Sequence, residues 1–233
     1  GPYPLNSGDD EAYNRDLYEI ACEVERGNFD FFISVHSNAH EDGKVTNYPA
    51  LFVRGENKTA SITGADDAAR TFWPYAYQDQ HQCWSNYSMT NPGLYYDIDF
   101  WSGDYLINNI DGKSYKGYYG VLRHGVIGFL CEGYFHTYQP GRHRAMNMDV
   151  CRHEGTGYAH GLAAIFGLQT EAYGELYGIV RDKHERFHHT YYNCSALSPD
   201  ALKPLNGAEV TLYKDGQPVD SYTTDGEWNG AFV

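Results

Sequence analysis

The sequence has no apolar run close to the roughly 18 residues that cross a bilayer. No membrane-spanning helix is therefore expected in its 233 residues. Positive charge is scarce: 17 Lys and Arg stand against 31 Asp and Glu, for a formal net charge of −14. Nucleic-acid binding needs a basic face that follows phosphates, so that class of partner is excluded. The same sign removes long-range attraction to an anionic membrane surface. Cysteine is sparse and unpatterned. Cys22, Cys83, Cys131, Cys151 and Cys194 form no Cys-x-x-Cys pair, which argues against a zinc ribbon. Their odd number leaves at least one outside any intrachain disulfide.

What is present reads in blocks. Hydrophobic residues make up 42% of the chain, enough for one full core and a smaller second unit. Residues 10–26 place Tyr13, Leu17, Ile20, Ala21 and Val24 on one helical face, and Gly27-Asn28 stops the pattern. "FDFFISV" (29–35) is apolar without alternation and predicts a strand covered on both faces, ending at His36. A second short strand is expected at 48–55, and a helix at 64–80 that Pro74 ends or kinks. Residues 84–120 are irregular and dense in Tyr, Trp and Phe. "GVIGFLCEGYFHT" (125–137) predicts another buried strand, and 143–168 a long helix weakened near Gly155 and Gly157.

This order of elements predicts an α/β fold with a mixed, mostly parallel sheet and helices on both faces. Ligands of such sheets sit outside the carboxyl ends of the strands. His36 and Glu132 each stand at such an end, and the expectation is that they share one crevice. Past residue 170 the texture changes. "GELYGIVRD" (174–182) alternates, and Lys214-Asp215-Gly216-Gln217 lies between two β-rich runs, a hairpin signal. The chain thus divides into an α/β domain at 1–170 and a small β-sandwich unit at 171–233, which stops before a sandwich would be complete. The opening "GPYPLNSGDD" lacks Met and reads as a processed or trimmed start.

A neutral imidazole at a strand end can bind zinc through one nitrogen while the other N–H is held by an acceptor. It can equally be a hydrogen-bonded structural residue. A carboxylate such as Glu132 can take a proton from water and return it to a leaving amine, or it can cap a backbone turn. His153 and His160 share a helical face, a pattern open to a metal or to surface and capping roles. His184, His188 and His189 are expected in a solvated loop of the β unit.

"FISVHSNA" resembles the zinc-ligand strand of the zinc-dependent N-acetylmuramoyl-L-alanine amidases of the amidase type 3 family, where an apolar strand ends in Ser-x-His-x-Asn-Ala. "VIGFLCEGYFHT", preceded by "YGVLRHG", resembles that family's later strand, in which Val-Leu-Arg leads to a hydrophobic run and Glu-x-Gly-Phe. The likeness covers about residues 10–168. It implies that His36 is a zinc ligand and Glu132 the catalytic acid/base. It also implies hydrolysis of the amide between N-acetylmuramic acid and L-alanine, with peptidoglycan or muropeptides as substrate. Ser34, Asn38 and Arg123 follow as turn-shaping, second-shell or substrate candidates. The family supplies two further ligands, a His and a Glu, upstream of the first helix matched here, and this chain has no such segment. The expectation is an incomplete zinc site whose missing strand precedes residue 1, with His40 and His136 as the alternative ligands.

The β unit resembles the carboxypeptidase-regulatory-like (transthyretin-like) module through "PLNGAEVTLYKDGQ" and "TTDGEWNGAFV". Such modules accompany exported proteins, which implies a bacterial cell-envelope location, periplasmic or secreted. Two other readings stay open. One is a zinc carboxypeptidase-like peptidase. The other is a non-catalytic cell-wall glycan-binding protein whose Tyr-rich stretch stacks on sugars, unless those rings only pack that stretch onto the domain.

Overall fold

The computed structural model describes residues 10–40, 45–78, 93–101, 109–110, 113–114, 119–170, 174–188, 193–194, 196–225 and 230–233. Most of the Tyr-rich stretch, and His189, lie outside them. In chain order the elements are α1 (Asp10–Arg26), β1 (Phe32–Asn38), β2 (Ala50–Val53), β3 (Gly55–Glu56), β4 (Thr59–Ala60) and α2 (Ala65–Trp73). Next come β5 (Leu94–Tyr96), α3 (Asp97–Trp101), β6 (Asn109–Ile110), β7 (Lys113–Ser114), β8 (Gly128–Phe135), α4 (Gln139–Ala145) and α5 (Met148–Ile165). The last strands are β9 (Gly178–Ile179), β10 (Arg181–Arg186), β11 (Leu202–Pro204), β12 (Glu209–Lys214), β13 (Gln217–Thr223) and β14 (Ala231–Phe232). The chain forms two compact units. The first comprises Gly1–His36, Ala50–Arg70 and Leu94–Cys131, and the second Ser37–Pro49, Thr71–Gly93 and Glu132–Val233.

Unit one is built on a mixed, mostly parallel sheet in the order β1-β8-β2-β5. β2 and β5 run parallel, with Leu51 opposite Leu94 and Val53 opposite Tyr96. β2 is wholly buried, as its unbroken apolar run requires of a central strand. β1 departs from expectation. It starts at Phe32 and runs on to Asn38, and its residues are half-buried or exposed, with Val35 60% exposed. Among the described strands it is the end strand of the sheet. At the start of β8 a Cβ on Gly128 would collide with the Phe32 carbonyl, so only glycine lets β8 approach β1 there. The Phe32 N–H donates to the Ile127 carbonyl at 2.9 Å.

α1 forms over the expected residues, but Ile20 of the expected apolar face is 37% exposed. Ala21, Cys22 and Val24 are buried, and the helix stops where Asn28 takes a left-handed φ of 50°. Around β2 the rings interlock: Phe52 packs against Tyr95, Phe100 and Tyr119 at centroid separations of 5.5, 4.9 and 5.1 Å. Beside them Arg54 donates to the His124 carbonyl at 2.6 Å.

As expected, α2 ends at Trp73, the residue before Pro74, and Pro74–Gln78 follow as a π-helical turn. The long helix expected at 143–168 is two helices. Asn147 separates them and caps α5 by accepting the Asp149 N–H at 2.9 Å, while Gly155 and Gly157 pass within α5 without a break. His184 lies on β10 rather than in a loop. The β12–β13 hairpin forms as expected, with Asp215 and Gly216 at φ of 52° and 77°, the mirror-image turn that matches strand twist. Asp200 is buried. It accepts from Tyr138 Oη at 2.6 Å, Arg144 Nη1 at 3.0 Å and Arg181 Nη2 at 2.6 Å, and so joins α4, β10 and the turn before β11.

Candidate functional site

The two residues expected to carry the chemistry fall at unit boundaries. His36 ends the first stretch of unit one, and Glu132 opens the last stretch of unit two.

His36 lies inside β1, two residues short of its end, with an exposed side chain. Ser34, two positions back along the strand, shares its face. Both line an open cleft of about 560 Å³ whose other walls are apolar, among them Leu17, Ile20, Phe32 and Val121. The protein around the inner side of the ring lowers the His36 pKa by desolvation, so the imidazole is neutral at neutral pH and can offer a lone pair. Arg123 does not line this cleft. It follows the short turn Gly120–Leu122, where burial lowers its pKa against the opposing pull of Asp97.

Glu132 is 5% exposed in the middle of β8. Its Oε2 has no hydrogen-bond partner among the described residues. Desolvation alone raises its pKa to about 7. A buried carboxyl without a partner is costly to keep, because burial disfavours the charged form and nothing compensates it. Groups poised near neutral pH in this way are suited to proton transfer.

The other candidates gather in unit two. The Asn38 carbonyl accepts the His136 N–H at 2.8 Å, and Asn38 Oδ1 accepts the Ala39 N–H at 2.8 Å, so Asn38 shapes the exit of β1. His136 Nδ1 lies 3.1 Å from Ser37 Oγ. The His40 N–H donates to Thr137 Oγ1 at 3.1 Å. The structure therefore brings Asn38, His40 and His136 together, but through main-chain and hydroxyl contacts rather than converging imidazoles.

A second buried carboxyl in unit two is Glu154 on α5. Burial raises its pKa, and it accepts from Tyr158 Oη at 2.7 Å, which in turn lies 2.7 Å from Tyr77 Oη. Its Oε1 occupies the place that a Cβ on Gly133 would need. The available signal was the four-residue spacing of Glu154 and Tyr158, which lets the two side chains meet on a helix.

Among the described residues no group of three His, Cys, Asp or Glu could hold a metal ion. His153 pairs with Glu175 at 2.7 Å and stacks on Tyr177 instead. A catalytic zinc takes about three protein ligands. The described residues do not bring such a set together.

No protein-family model matches the chain, and no curated protein does. Solved structures do. One is the catalytic domain of CwlV, an N-acetylmuramoyl-L-alanine amidase from Bacillus (Paenibacillus) polymyxa var. colistinus, with TM-score 0.47 and 14% identity over 66% of this chain and 66% of that one. A second is an N-acetylmuramoyl-L-alanine amidase from Clostridium difficile 630, with TM-score 0.47 and 17% identity over 65% of each chain. A third is the CwlD amidase from Clostridioides difficile in complex with the GerS lipoprotein, with TM-score 0.47 and 12% identity over 72% of this chain and 70% of that one. The chain spans just under two thirds of the length of the first two.

Proposed function

We propose that this chain is a peptidoglycan hydrolase that cuts the amide between N-acetylmuramic acid and L-alanine, with Glu132 as its acid/base. The observation that carries the reading is the buried Glu132 carboxyl, whose Oε2 has no hydrogen-bond partner among the described residues and whose pKa is raised to about 7 by burial. Near neutral pH such a group exists in both forms. As carboxylate it takes a proton from the attacking water while the water oxygen bonds to the lactyl carbonyl carbon. As acid it hands that proton to the departing nitrogen when the C–N bond breaks, leaving a free carboxyl and the amine of L-alanine. The "FISVHSNA" and "FLCEGYF" strings support the same assignment.

Zinc belongs to the proposal through His36, which the resemblance makes one ligand. The described residues supply no full set, so no proton step is drawn through a metal. Peptidoglycan as partner and the bacterial cell envelope as location follow from the substrate. No described helix is long and apolar enough to cross a membrane.

The test is product analysis. The chain, supplied with zinc, is incubated with purified muropeptides, and the products are separated by mass. Intact stem peptides with new L-alanine amino termini support the reading. Single amino acids released from the carboxyl end would establish a carboxypeptidase, and retention on peptidoglycan without cleavage a glycan-binding protein.

A further inference from the structure

One cation of unit two takes no part in its packing. Arg144 and Arg181 hold Asp200, Arg152 pairs with Asp149, and Arg186 donates to the Ala196 carbonyl. Arg142 is exposed on α4, and its guanidinium makes no hydrogen bond or ion pair among the described residues. Acidic groups outnumber basic ones in this chain, 31 to 17. A guanidinium that pairs with none of them is available to an anion from outside.

Its neighbours are polar and held in place. Burial pushes the Tyr134 phenol above its usual pKa, aided by Glu154 and Cys151, while a hydrogen bond with Ser37 and the Arg142 charge act the other way. The phenol therefore keeps its proton at neutral pH and can donate it. Ser37 Oγ also lies 3.1 Å from His136 Nδ1, so one hydroxyl ties the phenol to the imidazole. The frame beneath them is fixed. Asn47 is fully buried and its Oδ1 accepts the Phe135 N–H at 3.0 Å. A Cβ on Gly141 would lie 3.5 Å from that Oδ1 and 3.6 Å from the Tyr134 ring, so the residue before Arg142 packs directly on this frame. Glu154, the carboxyl near the phenol, accepts from Tyr158, and burial raises its pKa, which favours its uncharged form.

Ser37, Glu132, Tyr134, His136 and Arg142 all belong to unit two. Tyr134 follows Glu132 by two residues on β8, so the two side chains leave the same face of the strand about 7 Å apart. We propose that Arg142, Tyr134, Ser37 and His136 form a carboxylate subsite, which takes an acidic side chain about two positions along a peptide from the amide at Glu132. The guanidinium supplies the charge, and the phenol supplies a directed hydrogen bond. The choice of a peptide ligand and its spacing rest on the hydrolase reading above. Binding of the carboxylate does not require cleavage.

The test is isothermal titration of the full chain with N-acetyl-Ala-Glu and with its uncharged analogue, N-acetyl-Ala-Gln amide. It reads binding whether or not the chain cuts an amide. The wild type is expected to favour the diacid about tenfold. Arg142→Gln should bind the two probes alike, and Arg142→Lys should keep part of the preference. Tyr134→Phe should weaken the diacid alone. Arg142 is exposed, so an unchanged unfolding midpoint is expected for its two variants and shows that they are folded. A chain that favours the diacid yet cuts no muropeptide keeps the subsite and loses the hydrolase reading. No saturable binding of the diacid up to about 10 mM, equal affinity for the two probes in the wild type, or a preference that survives Arg142→Gln would overturn the proposal.

Discussion

Glu154 Oε1 stands where a side chain at position 133 would begin, so Gly133 and Glu154 fix each other's identity across the packing of β8 and α5. The carboxylate cannot retreat cheaply, because Tyr158 holds it at 2.7 Å. Gly133→Ala is therefore expected to destabilise the protein by about 1–3 kcal/mol, as overpacking of a filled interior does. The urea midpoint measures it. Glu154→Ala in the same background should recover part of the loss.

Two buried groups give the stability of this protein opposing pH slopes. Desolvation and the Arg54 charge lower His124 from 6.5 to about 4, so its contribution is present above 6.5 and is lost as pH falls through about 4. Glu132 is raised from 4.5 to about 7, so its contribution is present below 4.5 and is lost as pH rises through about 7. Between about 4.5 and 6.5 the two slopes nearly cancel in the wild type. In Glu132→Gln the opposing Glu132 slope is removed, and unfolding free energy should climb more steeply with pH between about 4.5 and 6.5 than in wild type. Chemical denaturation across that range reads the difference. A parallel pH dependence in wild type and variant would contradict the assignment.

Asp200 holds two guanidinium groups and a phenol within unit two. Asp200→Ala takes the carboxylate away from Arg144, whose side chain is 4% exposed. The expected cost is about 3–5 kcal/mol. Asp200→Asn, which keeps the volume and one acceptor oxygen, should cost less. Thermal or urea unfolding of the two variants checks the order.

What the sequence made legible was local. The α1 span, the apolar run of β8 and the Asp215-Gly216 turn are each written in a few consecutive residues, and each formed as expected. The strings around His36 and Glu132 are the source of the proposed site residues. What failed to show was set by distant partners. The place of β1 at the end of the described sheet is set by its pairing with β8. The break between α4 and α5 depends on Asn147 choosing to cap, though Asn followed two residues later by Asp was a readable start signal. Ser37 meets His136 across 99 positions, and no spacing rule reaches that far. The space filled by Glu154 is visible only once β8 and α5 are packed.

The central claim is that the Glu132 carboxyl moves the proton in amide hydrolysis. Its most direct measurement is kcat/KM for release of stem peptide from muropeptides against pH, for wild type and Glu132→Gln. The wild type should show an acidic limb with an apparent pKa near 7, and the variant should lose about 10²–10⁴ in rate together with that limb. A variant that keeps the wild-type rate and the same pH profile would contradict the account.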